Sequence, residues 1–350
     1  MLLKKADLVY PFLLLLSIGK RSFENLGKII QISGRKVASM LPSDNTSFTI
    51  AHRLCQSVFS TNKRLFLIID DTLIKKIYAN NMRGSSRFFD TKIGRMVNAF
   101  RLVTSLISDG KLSIPINCSY LFAKEIIKLC SESFLTKDDI AKSFVRQAKT
   151  LFPNIEIIVL ADGLYATKAF LRWCFENKIL IECRMHSNRV VMYKGYKIHV
   201  RELAMLQGVR LQGKQTARTV SVEWHDIKLE LTISKRIDKH GNESLIYQAA
   251  TYKAEPREHI KNYKIRWNTE CLNRTEKQHI GVGDCFSKDF AIQQNHIAAA
   301  LLAYALTQLE KKKSRLKNAE QGIRALKERF VRQHLSELID EYESFLHFDA

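Results

Sequence analysis

The chain carries a stretch whose residue types suit phosphate chemistry. Residues 263 to 277 read Tyr-Lys-Ile-Arg-Trp-Asn-Thr-Glu-Cys-Leu-Asn-Arg-Thr-Glu-Lys, with no Pro or Gly, so about four turns of helix are permitted. At roughly 100° per residue, Tyr263, Arg266, Glu270 and Lys277 fall within about 60° of arc. A carboxylate, two cations and a phenol then share one face. A helix packed only for stability would set Leu or Ile there; a charged outer face with chance spacing is the plain alternative. Two more acids close apolar runs of strand length. Leu65 to Ile69 ends in Asp70-Asp71-Thr72, and Ile155 to Leu160 ends in Ala161-Asp162-Gly163. Each run reads as a buried strand that delivers a carboxylate at its tip. Hard divalent cations such as Mg²⁺ take carboxylate oxygens. A pair of them helps phosphodiester chemistry by activating the attacking oxygen and neutralising the leaving one. Arg266 suits a phosphate through its two-pronged donor set and Lys277 as a point charge, while Tyr263 is either a donor to a phosphate oxygen or a core-edge aromatic.

The composition asks for a polyanionic partner. Across 350 residues, 56 Lys and Arg stand against 35 Asp and Glu, a net charge of +21, and nucleic acid is the commonest match for such an excess. An anionic membrane surface would require an anchoring amphipathic helix or lipid signal, and neither is evident. The apolar run Leu8 to Ile18 contains Pro11 and is too short to span a bilayer; it reads as a buried helix. Seven scattered cysteines without a Cys-x-x-Cys pair point to reduced thiols in a cytoplasm, against a zinc site or disulfide frame.

The elements that must position these groups follow in order. Residues 1–60 look helical. Ser22 to Ile30, a turn with Gly34, and Arg35 to Leu41 outline a helix-turn-helix, with Arg35, Lys36 and Ser39 leading the candidate DNA-recognition helix. After the first acidic strand comes a basic stretch from Lys75 to Arg95 that reads as a loop, then strands at Phe100 to Ile107 and Leu112 to Cys118. Helical patterns occupy about 122 to 151, and the second acidic strand is followed by a helix near 164 to 177 and a strand Ile179 to Cys183. Five β-rich segments lie between Val190 and Tyr252, with Asp238 to Asn242 as a hairpin turn, and an apolar helix covers Ala291 to Leu309. Glu310 to Phe345 reads as one long amphipathic helix, lying across its own domain or meeting a second copy.

The spacing Tyr-x2-Arg-x3-Glu-x6-Lys resembles the signature of one branch of the DDE transposases encoded by bacterial insertion sequences. The resemblance extends to Asp-x-Thr at Asp70 and to Asp-Gly-x-Tyr from Asp162 to Tyr165, though Tyr165 has packing as its other role. It implies that Asp70, Asp162 and Glu270 are the catalytic and metal-binding triad, with Asp70 bridging two Mg²⁺ ions, or Mn²⁺ in their place, and the other two acids holding one each. Asp71 is the alternative to Asp70. Strand alternation turns it to the opposite face, which favours Asp70. The resemblance further implies that Tyr263, Arg266 and Lys277 hold phosphates of the transposon end.

Three strands, helix, strand, helix, strand, then the helix of Glu270, is the order of an RNase H-like α/β core: a mixed five-stranded sheet with helices on both faces. The expected layout is a helical segment at 1–60, a first core segment at 61–185, a β-rich insertion at 186–255, a second core segment with the signature helix at 256–312 and an amphipathic helix at 313–350. Within the insertion Trp224 is a candidate for stacking on an unpaired base, insertion core being its other role. The implied activity is metal-dependent cleavage at transposon terminal inverted repeats and strand transfer into target DNA, by a homodimer on double-stranded DNA at the nucleoid. A repurposed, catalytically inactive DNA-binding relative acting as repressor or inhibitor is the alternative. A phosphatase loop at Asp70-Asp71-Thr72 ranks last, because that chemistry wants Asp-x-Asp.

Overall fold

The computed structural model describes residues 4–77, 79, 82–90, 93–122, 134–209, 216–238 and 240–343. The N-terminal portion of the helical pattern near 122 to 151, Lys239 of the expected hairpin turn and the end of the chain from 344 lie outside them.

One mixed sheet dominates. Its strands are β1 (Arg64–Lys75), β2 (Ser86–Asp90), β3 (Arg95–Ser108), β4 (Ser113–Tyr120), β5 (Glu156–Ala161) and β6 (Leu180–Arg184), followed by β7 (Val190–Tyr193), β8 (Tyr196–His199), β9 (Ala217–Trp224), β10 (Ile227–Ile237) and β11 (Glu243–Ala250). β1, β5 and β6 run parallel in that order, and β3 lies antiparallel on the other side of β1. β4 and β2 pair with different halves of β3. The parallel strands are apolar on both faces, as Leu67, Ile68, Ile158 and Val159 show by being wholly buried; a strand covered by helices on each side requires that pattern. A mixed sheet with flanking helices is consistent with an RNase H-like transposase.

Two differences from the sequence-based expectation concern strands. The basic stretch after β1 is not all loop, because β2 forms within it and pairs with β3 from Ser86↔Ala99 to Asp90↔Arg95. The sheet is not limited to five strands: β11 pairs antiparallel with β6, Ala249 opposite Cys183, so the hairpins of the β-rich segment extend it. Between β8 and β9 it also contains a short helix, Val200–Leu206.

The helices are α1 (Ala6–Leu16), α2 (Phe23–Ile29), α3 (Gly34–Ser39), α4 (Asp44–Phe59), α5 (Lys137–Leu151), α6 (Lys168–Glu176), α7 (the Val200–Leu206 helix), α8 (Pro256–Lys264), α9 (Trp267–Thr275), α10 (Phe290–Lys313), α11 (Ala319–Arg332) and α12 (Leu335–Glu343). α1 is the buried helix that the run from Leu8 suggests, with Leu13, Leu14 and Leu15 fully covered. Ser22 caps α2 through the Asn25 N–H and Ser33 caps α3 through the Lys36 N–H, which satisfies donors that a helix start leaves open. Gly34 lets the two helices meet, since a Cβ there would stand 2.8 Å from the backbone nitrogen of Glu24. None of the helices among the described residues is long and apolar enough to cross a membrane.

The C-terminal region is a correction. It is not one long helix: α10 ends at Ser314, Arg315 takes a left-handed φ of 52°, and Asn318 starts α11 by accepting from the Gln321 N–H. The turn folds α11 and α12 back on α10, and Glu310 explains why this holds. Its buried carboxylate accepts from Arg329 at 3.0 Å, from Ser314 at 2.7 Å and from the Tyr342 hydroxyl. Arg329 also pairs with Glu341, but removing the buried carboxylate takes an acceptor from Arg329, Ser314 and Tyr342 at once, so Glu310→Ala is expected to lose about 3 kcal/mol of stability. Chemical denaturation should show it, together with faster proteolysis between α10 and α12.

Candidate active site

The parallel pairing of β1 with β5 ends at Ile69↔Ala161, so Asp70 and Asp162 follow side by side. Asp162 leaves its strand there. Its Oδ1 accepts the Leu164 N–H at 2.8 Å and opens a short 3₁₀ turn, Gly163–Tyr165. Asp70 is not at a strand tip, which corrects the expectation: β1 continues to Lys75 against β3 alone. The acid thus lies where one neighbour stops and the other goes on, which leaves it an open side.

The signature stretch is also not a single helix. α8 stops at Lys264, and Ile265 and Arg266 form a tight step whose amides reach back only three residues, to Asn262 and Tyr263 at 3.0 and 3.1 Å. α9 then carries Glu270, and a π turn, Glu276–Ile280, carries Lys277 before Gly281 ends it with φ 80°. The backbone stays right-handed helical through the step, so Tyr263, Arg266 and Glu270 still meet as neighbours three and four residues apart, while Lys277 is placed by its contact with Thr72 on β1.

Arg266 is the centre of that gathering. Its Nη1 donates to Asp70 Oδ2 at 2.9 Å, and its Nη2 stands 3.9 Å from Glu270 Oε1. Its guanidinium lies 5.8 Å from the Tyr263 ring centroid. Burial works against the charge of Arg266, but Tyr263, Asp70, Glu270 and Asp162 outweigh it and raise its pKa. Asp70 is 7% exposed. Burial pushes its carboxyl up to about 7 despite Arg266, and the negative charge of Asp162 adds to the rise. Burial likewise raises the Tyr263 phenol. Glu270 keeps 45% of its side chain in solvent, and Lys277 Nζ donates to Thr72 Oγ1 at 2.6 Å, two residues beyond Asp70.

Asp71 faces the other way. Arg101 Nε holds its Oδ2 at 2.8 Å and Lys137 Nζ its Oδ1 at 2.6 Å, so both oxygens are engaged by cations. Among the described residues, no group of three or more His, Cys, Asp or Glu side chains stands close enough together to hold a metal ion. The donor chemistry nevertheless fits a hard cation: Asp70 and Asp162 are adjacent oxygen donors whose mutual repulsion Arg266 only partly offsets. Arg266 now occupies the Asp70 oxygen that such a cation would need.

Beside Asp162 a cleft of about 1060 Å³ opens between the 3₁₀ turn, the β10–β11 hairpin and α8. Arg184, Lys235, Arg236, Lys264 and Arg266 line it, with Trp267 at its rim, 60% exposed. Trp224 is not brought to it. That indole is 4% exposed under the guanidinium of Arg189, 5.3 Å from its centroid, so it packs in the extended sheet. Arg35, Lys36 and Ser39 are exposed on α3. Tyr165 is fully buried, with Lys137 Nζ 5.5 Å from its ring centroid.

Residues 139–306 match a family model described as the transposase DDE domain. The chain is similar to DDE transposases. The match begins in α5 and ends in α10, so it takes in Asp162 and Glu270 and stops short of Asp70. It supports transposase function in general, with the cleavage and joining of DNA which that implies. Members of this family typically use divalent metals. No curated protein matches the chain.

Sequence reasoning missed the support beneath Arg266. Glu182 of β6, fully buried, accepts from His259 Nδ1 at 2.9 Å, from Asn262 Nδ2 at 3.3 Å and from the Tyr252 hydroxyl. This ties α8 to the core just before the step at Ile265. The signal was an acid inside the apolar run Ile179 to Cys183, since a buried carboxylate must find donors.

The raised pKa of Asp70 carries a stability consequence. A carboxyl whose folded pKa lies above the unfolded value of 3.8 holds its proton more tightly when folded, so its contribution is present at low pH and fades as pH rises from about 4 to 7. Glu276, pushed up to about 8 by burial, acts in the same direction. In metal-free protein at pH 8, Asp70→Asn is therefore expected to raise the thermal midpoint and flatten the pH profile, by at most about 4 kcal/mol. An unchanged or lower midpoint would contradict this account of the buried pair.

Proposed function

We propose that the chain is a DDE transposase of an insertion sequence, of the branch with the Tyr-x2-Arg-x3-Glu-x6-Lys signature, which cuts DNA at its element's terminal inverted repeats and joins the new 3′ ends to target DNA. The observation that carries this reading is the placement of Asp70 beside Asp162 at the end of the β1–β5 pairing, with Arg266 bridging from Asp70 towards Glu270. Two Mg²⁺ ions, or Mn²⁺ in their place, bound by these acids would supply activation of the attacking oxygen and charge neutralisation at the leaving one. Asp70, Asp162 and Glu270 are the residues that would hold the ions in this reading.

The chain's own groups do the rest. Arg266 balances the charge of Asp70 while no cation does, and its planar donor set turns to a phosphate once the acids are neutralised. Lys277 adds a point charge beside Thr72 and Tyr263 a phenol donor, both on the DNA backbone. The basic cleft next to Asp162 gives the strand leaving the duplex a path of matching charge. The exposed face of α3, with Arg35, Lys36 and Ser39, reads the terminal repeat, and two copies act together on paired ends.

The test is cleavage of a labelled duplex carrying the repeats that flank the gene, in Mg²⁺. Nicking at the element boundary is expected to vanish with chelator and to fall about a thousandfold in Glu270→Gln, which corresponds to several kcal/mol of lost charge stabilisation. Lys277→Ala should bind the duplex more weakly and lower the salt dependence by about one counterion. Salt-sensitive binding without cleavage, the same in Glu270→Gln, would identify a DNA-binding relative without catalysis.

A further inference from the structure

The chemistry above leaves unused the ribbon that overhangs the carboxylate end of the sheet. Beyond Asp70, β1 runs on to Lys75 beside β3, and β3 in turn pairs with β2. The register sets Phe89 opposite Met96 and Arg87 opposite Asn98, and strand alternation puts these four on one face. Phe89 is 58% exposed and Met96 46%, with Ile93 in the connecting turn at 45%. The reverse face is anchored: Val97 is buried, and the Arg101 guanidinium lies 6.0 Å from the Phe88 ring centroid. The ribbon therefore covers one apolar pair, Phe88 in part and Val97 fully, and leaves the other in solvent.

Charge decides what would cover the outward pair. Arg87 and Arg95 are exposed on the ribbon, and its acid, Asp90, is buried in an ion pair with Lys75. Of the two, Arg87 shares the face of Phe89 and Met96, with no acid beside it on that face among the described residues, so a polyanion complements it better than the same face of a second copy would. Apolar side chains flanked by arginine are the equipment of proteins that enter the minor groove, wedge between neighbouring base pairs and kink the duplex.

The position suits this use. From Met96 to Thr104, the partner of Asp70, is eight residues along β3, roughly 26 Å at about 3.3 Å per residue, or roughly eight base pairs of B-form DNA.

We propose that the β2–β3 ribbon is a DNA-bending element: Phe89 and Met96 wedge into the minor groove about eight base pairs from the phosphate under attack, while Arg87, on the same face, holds the backbone beside them. This rests on the transposase reading and adds to it a second contact, separate from the metal site, the cleft and α3.

The test uses the full chain and a short duplex of arbitrary sequence with a fluorophore pair at its ends. Binding is expected to raise energy transfer as the duplex bends, and a minor-groove drug should compete with it. The double substitution Phe89→Ala and Met96→Ala should abolish the bend and weaken binding about fivefold while the thermal midpoint stays unchanged. Arg87→Ala should lower the salt slope by about one counterion. Equal bending by the apolar variant, or loss of self-association in that variant without DNA, would overturn the proposal and, in the second case, make the face a contact between copies. If the unsubstituted protein bound no duplex at all, the transposase reading would fall and the ribbon's role with it, an outcome distinct from failure of the ribbon alone.

Discussion

The contact between Arg266 and Asp70 is the constraint around which the rest of the molecule is arranged. Asp70, almost out of water and beside the negative charge of Asp162 on the neighbouring parallel strand, resists ionisation. A single guanidinium at 2.9 Å offsets some of this, yet the Asp70 carboxyl still sits near neutrality. The fold thus carries a local destabilisation at the place where cations would be gathered. That is the usual relation between a prepared site and the stability around it.

Holding one arginine in that position takes support from both ends of its segment. On the N-terminal side, Glu182 draws His259, Asn262 and Tyr252 together and fixes α8 on the core. On the C-terminal side, the loop after the π turn is held through its carbonyls. Arg21 donates to the His279 carbonyl at 2.5 Å and to Asp284 at 2.8 Å, and Lys76 donates to the Gly283 carbonyl at 2.8 Å. His296 reaches the Gly281 carbonyl at 3.0 Å while the Tyr10 hydroxyl meets its other nitrogen at 2.8 Å. Burial pushes the His296 pKa down to about 4, so the neutral ring can donate with one nitrogen and accept with the other. Gly281 is needed there: its φ is positive, and a Cβ would stand 2.4 Å from Arg21 Cδ. Through Tyr10 and Arg21 the N-terminal helices therefore touch the loop that ends the segment of Lys277.

The large sheet serves the same site. Because β11 pairs with β6, the β10–β11 hairpin becomes a wall of the cleft beside Asp162 rather than a detached module. On the opposite flank β1 and β3 run on past the last residue of β5, so the sheet projects beyond the carboxylates there as well. The acids lie in the recess between those two extensions, where a long polyanion can reach them.

Much of this was legible in the chain itself. Apolar runs ending in Asp70 and Asp162 specify buried strands with acids at the end of their pairing, and strand alternation separates Asp71 from Asp70, because these patterns depend only on local geometry and burial. The Trp224 reading and the single C-terminal helix fared differently, since burial under Arg189 and the return of α11 onto Glu310 are set by residues far along the sequence. The same holds for the signature stretch. Its composition permits an unbroken helix, but the step at Ile265 and the π turn at Glu276 arise where the chain must satisfy contacts with β6, β1 and the N-terminal helices. Residue types and spacing by themselves determined that Asp70 and Asp162 would follow buried strands and that Tyr263, Arg266 and Glu270 would lie about one helical turn apart. Only the tertiary structure decided their partners on other elements and the charge state of Asp70, because helix periodicity is a local property whereas burial and the nearest opposite charge are not.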